Sequence, residues 1–201
     1  MAMVNGANGS HKAAMEWFEK ALRHGEPVIA ENYLVYLSKN FKYIDYVNES
    51  LALAEAYPGN IDIYRKALKG RIFSCDINGV ERVAHELSRM LPAKEREDVM
   101  IQASNVIEQA RKFAVSAGMD DDDLTALSEI LLGIAEQAKA TYSQLTYFSM
   151  VEEGTNALIF HVQTDNSDLL SEMNFDLAMT LANEDRFVGK KFSSWFRGDA
   201  A

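Results

Sequence analysis

With 201 residues, 48% of them hydrophobic, this chain is long enough to bury one sizeable core. Its 3 prolines and 11 glycines exclude both a disordered chain and a turn-rich β-sandwich. The net charge of −10 is one-sided: residues 1–92 carry 11 Lys+Arg against 11 Asp+Glu, and residues 93–201 carry 9 against 19. That imbalance excludes simple electrostatic attachment of the second half to nucleic acid or to an anionic membrane.

In chain order, residues 1–9 are small and polar and read as a loose tail. Ser10 stands where an N-cap belongs, and Ala14, Trp17, Phe18, Ala21 and Leu22 then fall on one stripe of a helix. Gly25 and Pro27 end it. Helices are predicted over about 28–40, with Ile29, Tyr33, Leu34 and Leu37 inward, and over about 43–57. The Pro58-Gly59-Asn60 joint separates these from a helix over about 61–74 and a further one over about 80–91. A long helix is expected from Ala93 to Ala117, with Val99, Val106, Ile107, Ala110, Phe113 and Ala114 inward and Gly118 as its stop. The next begins in the Asp120–Asp123 run and extends to about Gln144.

The stretch 144–166 admits two readings. Thr146, Tyr147, Phe148, Val151, Ile159, Phe160 and Val162 suit a small β-hairpin near 145–163 with its loop at 152–156. Its helical surroundings favour more helix, with Thr155 or Asn156 as a cap. A helix follows from Asn166 or Ser167 to about Asn183. The segment from Asp185 to Phe196 reads as a final amphipathic piece, either a helix that caps the body or a partner-binding or membrane-touching segment. The fold class is therefore mainly α, built of antiparallel helix pairs: a neutral part over 10–92 and an acidic part over 93–201 packed on it as one continuous domain.

The three prolines, Pro27, Pro58 and Pro92, each close a helical pattern, at separations of 31 and 34 residues. A two-helix unit of about 34 residues with a closing proline is the sequence signature of tetratricopeptide repeats. Residues 10–92 resemble that family, most clearly in "AMEWFEKALRHGEP". There Ala14, Phe18 and Ala21 take its small, aromatic and small positions ahead of Pro27. The later units depart from the pattern, with Asp45, Glu49 and Ala52 before Pro58, and Val80, Ala84 and Leu87 before Pro92. An irregular helical bundle is the alternative. The resemblance implies a concave binding face lined by the first helix of each pair. Carried onto this chain it selects the outward residues Asn32, Tyr36 and Lys39, then Arg65 and Lys69. Six of the eight tyrosines fall between residues 33 and 64, and tyrosine suits interfaces because a large apolar ring ends in a polar tip.

Catalytic and metal signatures are weak. From Asp120 the twelfth position is Leu131, which cannot close a calcium loop, so Asp120–Asp123 read as a helix cap. His85-Glu86 has Arg89 where a zinc helix needs its second histidine. Cys75, the only cysteine, excludes an internal disulfide and reads as a structural thiol that suits a reducing cytosol. No signal-peptide core and no run near the ~18 apolar residues of a membrane span is present in the sequence. The expectation is a cytoplasmic interaction module (adaptor, chaperone or regulatory subunit) with no cofactor, no metal and no catalytic residue. Its partner would be another protein, not nucleic acid and not a membrane, and a homo-oligomer is also allowed. One alternative is an acidic inhibitor that mimics nucleic acid and binds a basic protein, and another is an enzyme of a helical family, which would need a deep pocket with converging polar groups.

Overall fold

The structure, a computed structural model, describes residues 10–150 and 155–199. The tail expected at 1–9 and positions 152–154 of the expected loop lie outside them. Helices come first: α1 (His11–Leu22), α2 (Pro27–Lys39), α3 (Tyr43–Ala56), α4 (Ile61–Phe73), α5 (Ile77–Met90), α6 (Ala93–Ala117) and α7 (Asp121–Gln137). Connections of two to four residues reverse the chain between them. From α1 to α6 each helix packs on the next, and α2 also touches α4. The side-chain caps are local. Asn60 accepts from the Ile63 N–H at 3.0 Å to start α4, and Asp76 accepts from the Gly79 N–H at 2.8 Å to start α5. Ser10 occupies its N-cap position without such a bond.

Small residues set the helix spacing. A Cβ added at Gly70 of α4 would stand 2.8 Å from Ser50 Oγ of α3, so those helices approach more closely than any side chain there would permit. Phe18 fills the space between α1 and α2, its ring centroid 5.2 Å from both Tyr33 and Tyr36. Ala14 and Phe18 are buried as the sequence pattern required. α7 leaves the series and packs on α3, anchored where the Ser128 hydroxyl donates to the Ser74 carbonyl at 2.8 Å and Lys42 pairs with Glu136 at 2.8 Å.

Next come β1 (Tyr142–Met150), β2 (Thr155–Gln163), α8 (Ser167–Ala182), a short 3-10 turn (Asp185–Phe187) and β3 (Ser193–Asp199). β2 is central, antiparallel to β1 and parallel to β3. The hairpin reading of 145–163 is therefore the right one and the helical reading is corrected. The capping helix expected over 185–196 is also corrected, since Ser193–Asp199 is a strand. Burial explains both. Leu158, Phe160 and Val162 of β2 repeat at period two on the inner face. Phe196 lies beside Phe160 on the same face, ring centroids 5.6 Å apart. α7 stops at Gln137 rather than 144, because the chain turns at Lys139 (φ 51°) and drives Tyr142 into the core.

The inner face of the sheet sits on the helices. Phe73 of α4 meets Tyr142 and Phe160 at centroid distances of 4.1 and 5.8 Å, and Phe113 of α6 meets Tyr147 at 5.7 Å. Helices and sheet thus share one core. Burial of a ring such as Phe160 contributes about 2–3 kcal/mol.

The two edges of the sheet differ. Along β3 lies α8, and its Asn174 amide acts as a strand partner. Asn174 Oδ1 accepts from the Phe196 N–H at 2.7 Å, and Asn174 Nδ2 donates to the Phe196 carbonyl at 3.1 Å. A Cβ at Gly198 would stand 2.8 Å from Leu170 Cδ1 and strike the Thr164 carbonyl, so glycine lets the segment entering α8 close over this end. Along the outer side of β1, no backbone or side-chain group among the described residues bonds to the main chain of residues 143–149.

Candidate functional site

A cleft of about 560 Å³ opens between α4 and α6 and ends on the start of β1. Each wall follows from helical spacing. On α4, Arg65 and Lys69 stand one turn apart above Leu68 and Ile72. On α6, Val99, Gln102, Val106 and Gln109 recur at three- and four-residue steps and form a single stripe. Leu87 of α5 lies in the floor, and Ser143, Gln144 and Leu145 of β1 close the far end. Val99 and Val106, expected to be inward, are half-buried because they line this opening.

The two cations of α4 are committed differently. Arg65 pairs with Glu95 of α6 at 2.6 Å across the cleft mouth, both side chains half exposed. Such a pair is worth little in water and exchanges readily. Lys69 Nζ lies 5.1 Å from the Tyr142 ring centroid and 5.8 Å from that of Phe73, a cation–π arrangement. Among the described residues no carboxylate stands within ion-pair distance of it. Partial burial of its ammonium draws it below the usual lysine range.

Of the five residues selected from the sequence, the cleft brings together Arg65 and Lys69. Asn32 and Lys39 are exposed on α2, outside the lining. Tyr36 is not outward: it is 3% exposed, its hydroxyl lies 2.8 Å from His11 Nδ1, and the His11 ring stacks on it at 5.6 Å. α1 covers the face of α2 that the repeat pattern left open. Sequence reasoning missed Gln102, Gln109 and the edge of β1. The Val99–Gln102–Val106–Gln109 spacing was a usable signal, since two amides on an otherwise apolar stripe have no reason to face a closed core.

A second polar cluster crosses the outer face of the sheet. Thr146 Oγ1 of β1 lies 3.1 Å from His161 Nε2 of β2, and His161 Nδ1 lies 3.1 Å from Asp199 Oδ1 of β3. The Ser143 hydroxyl donates to Asp199 Oδ2 at 2.8 Å. The His161 ring and the Ser143 hydroxyl hold the Asp199 carboxyl below the usual carboxylate range. Hydroxyl, imidazole and carboxylate follow in the order of an acyl-transfer relay. What this geometry does is fasten three strands through one buried ring. Beside it Phe148 and Trp195 remain 44% and 38% exposed.

The other conspicuous residues serve the fold. Asp120 accepts from the Asp123 N–H at 2.8 Å and Asp123 accepts in return from the Asp120 N–H at 3.3 Å, a reciprocal cap on α7. Asp123 also pairs with Lys190 at 2.6 Å. Cys75 is buried and accepts from the Tyr147 hydroxyl at 3.1 Å, and burial pushes its thiol up to about 12. Arg71, also buried, bonds Asp76 at 3.3 Å and the Val47 carbonyl, beside a smaller cavity of about 200 Å³. Among the described residues, no three His, Cys, Asp or Glu side chains gather as a metal site, and no helix is long and apolar enough to cross a membrane.

Comparison with known proteins gives no matching family model, no matching curated protein and no matching solved structure.

Proposed function

We propose that this protein is a non-catalytic interaction module, an adaptor, chaperone or regulatory subunit that holds a segment of another protein in the cleft between α4 and α6. The observation that carries this reading is Lys69, an exposed cation with aromatic neighbours and no carboxylate partner among the described residues, set over an apolar floor. The placement of the cleft adds support. α4 stands in the position of the first helix of a pair, the helix that carries the binding face in the tetratricopeptide resemblance over 10–92, and α6 follows the last of those pairs. The cleft suits a few anchoring side chains of a partner, with apolar burial for affinity and Lys69 and Arg65 for register.

The test is affinity capture from the native host with wild-type protein and with the double variant Arg65→Glu/Lys69→Glu. Both changes are at the surface and leave the core intact. The expected result is loss of the specifically captured protein, by about tenfold or more for a close charge pair reversed. Equal capture by both proteins would remove the cleft from the mechanism.

A further inference from the structure

We propose that the open edge of β1 receives an extended, acidic segment of the partner protein as a fourth strand of the sheet. This rests on the cleft reading above and specifies how the segment is held.

The first argument is the contrast between the edges. Unpaired strand edges are templates for another chain, and proteins ordinarily cover them. Here one edge is covered with some care: the Asn174 amide satisfies both main-chain groups of Phe196. The other edge, nine residues of β1, is left without a partner among the described residues. It also begins at the cleft, where Ser143, Gln144 and Leu145 form the end wall. An added strand would therefore run from the cleft along β1, bonded to its alternate N–H and C=O groups.

The second argument is charge and spacing. Lys69 and Arg65 line the cleft that ends at the start of β1, so an inward-pointing Asp or Glu on the added strand meets Lys69 and competes with Glu95 for Arg65, whose pair is exposed and exchanges readily. Gln102 and Gln109 stand seven residues apart on the opposite wall, about 10.5 Å at the helical rise. Main-chain groups that face one edge of an extended chain recur every two residues, and the two flexible amides can each reach one such position on the far edge of the same strand. Side chains on the outward face of that strand would lie beside exposed Phe148, which favours β-branched or aromatic residues there. The segment recognised is thus an alternation of acidic and apolar residues. Acidity also separates it from a second copy of this chain, since the cleft's cations would have to meet a matching acidic strand on the same protein, and β1 carries no Asp or Glu at its described positions 142–150.

The probe is a displayed library of random twelve-residue peptides, selected on the full-length protein. The expected winners alternate acidic and β-branched residues. Their binding should slow amide exchange at alternate positions of β1, leave Phe196 unchanged, and fall about tenfold when a single β1-facing peptide nitrogen is methylated, the loss of one hydrogen bond's worth of affinity. Lys69→Glu should weaken the same peptides by about tenfold. Selected peptides that bind and depend on Lys69 without protecting β1 would overturn strand addition while leaving the cleft reading in place. Failure to select any peptide would overturn both. Concentration-dependent self-association with β1 protected in the absence of peptide, measured by sedimentation, would assign the edge to a second copy and overturn the partner assignment.

Discussion

The two edges of this sheet have the same neighbour, β2, and opposite fates. On the β3 side a helix returns over the strand, glycine at 198 allows close approach, and one asparagine amide bonds both main-chain groups of Phe196. On the β1 side the strand borders a cleft whose Lys69 has no carboxylate partner among the described residues. The difference teaches where the molecule is finished and where it is not. A closed edge consumes its own hydrogen-bonding groups, whereas an open edge beside charge and apolar surface retains them for another chain.

The comparison can be broken from its centre outward. Phe160 lies under both edges, fully buried against Phe73, Tyr142 and Phe196. Phe160→Ala should cost about 3–5 kcal/mol, read by urea unfolding, and should erase the protection of β1 and β3 together. Asn174→Ala acts on one edge. It strips partners from the main-chain N–H and C=O of buried Phe196 and should cost about 2–3 kcal/mol, with new concentration-dependent association by light scattering because the closed edge is opened. Gly198→Ala on the same edge should also destabilise, since its Cβ meets the Thr164 carbonyl and Leu170. The expectation is about 1–3 kcal/mol of overpacking, and unchanged stability would show that α8 can shift.

Smaller effects sharpen the contrast. Lys69→Glu should move stability by less than about 0.5 kcal/mol, as for a surface substitution, while changing peptide capture, so folding and binding separate at this residue. The Thr146–His161–Asp199 chain gives a pH signature. The Asp199 carboxyl is held below its ordinary value, so its contribution is present above the unfolded carboxylate value near 3.9 and disappears as pH falls through the lower folded one. Asp199→Asn should therefore destabilise at neutral pH, with the gap to wild type closing in acid. A constant gap from pH 7 to about 3 would assign its effect to packing rather than charge.

Much of the helical part was legible because it is written in local chemistry. Asn60, Asp76, Asp120 and Asn166 cap where turn residues meet apolar stripes, and Gly118 closes α6 in a left-handed conformation. Arg65 and Lys69 were legible as outward positions one turn apart. Tyr36 was not, since its burial depends on α1 folding back over α2, a tertiary event with no mark in the helix itself. The strands were ambiguous for a similar reason. β1 alternates only weakly, with Tyr147 inward, Phe148 outward and a register shift between Tyr142 and Gln144. At the C-terminus Phe192, Trp195 and Phe196 fit a helical stripe and a strand equally well until β2 offers Phe196 a partner. The cleft needed α4, α6 and β1 together, and no single segment announces it.

The central claim is that β3 is capped at Phe196, whereas the outer edge of β1 has no partner among the described residues. Residue-resolved amide hydrogen exchange on the free protein tests it directly. The account predicts that the Phe196 amide, bonded to Asn174, exchanges near the rate of global unfolding, while alternate amides of residues 143–149 exchange far faster than their inward neighbours. Uniform protection along β1, equal to that of Phe196, would contradict it.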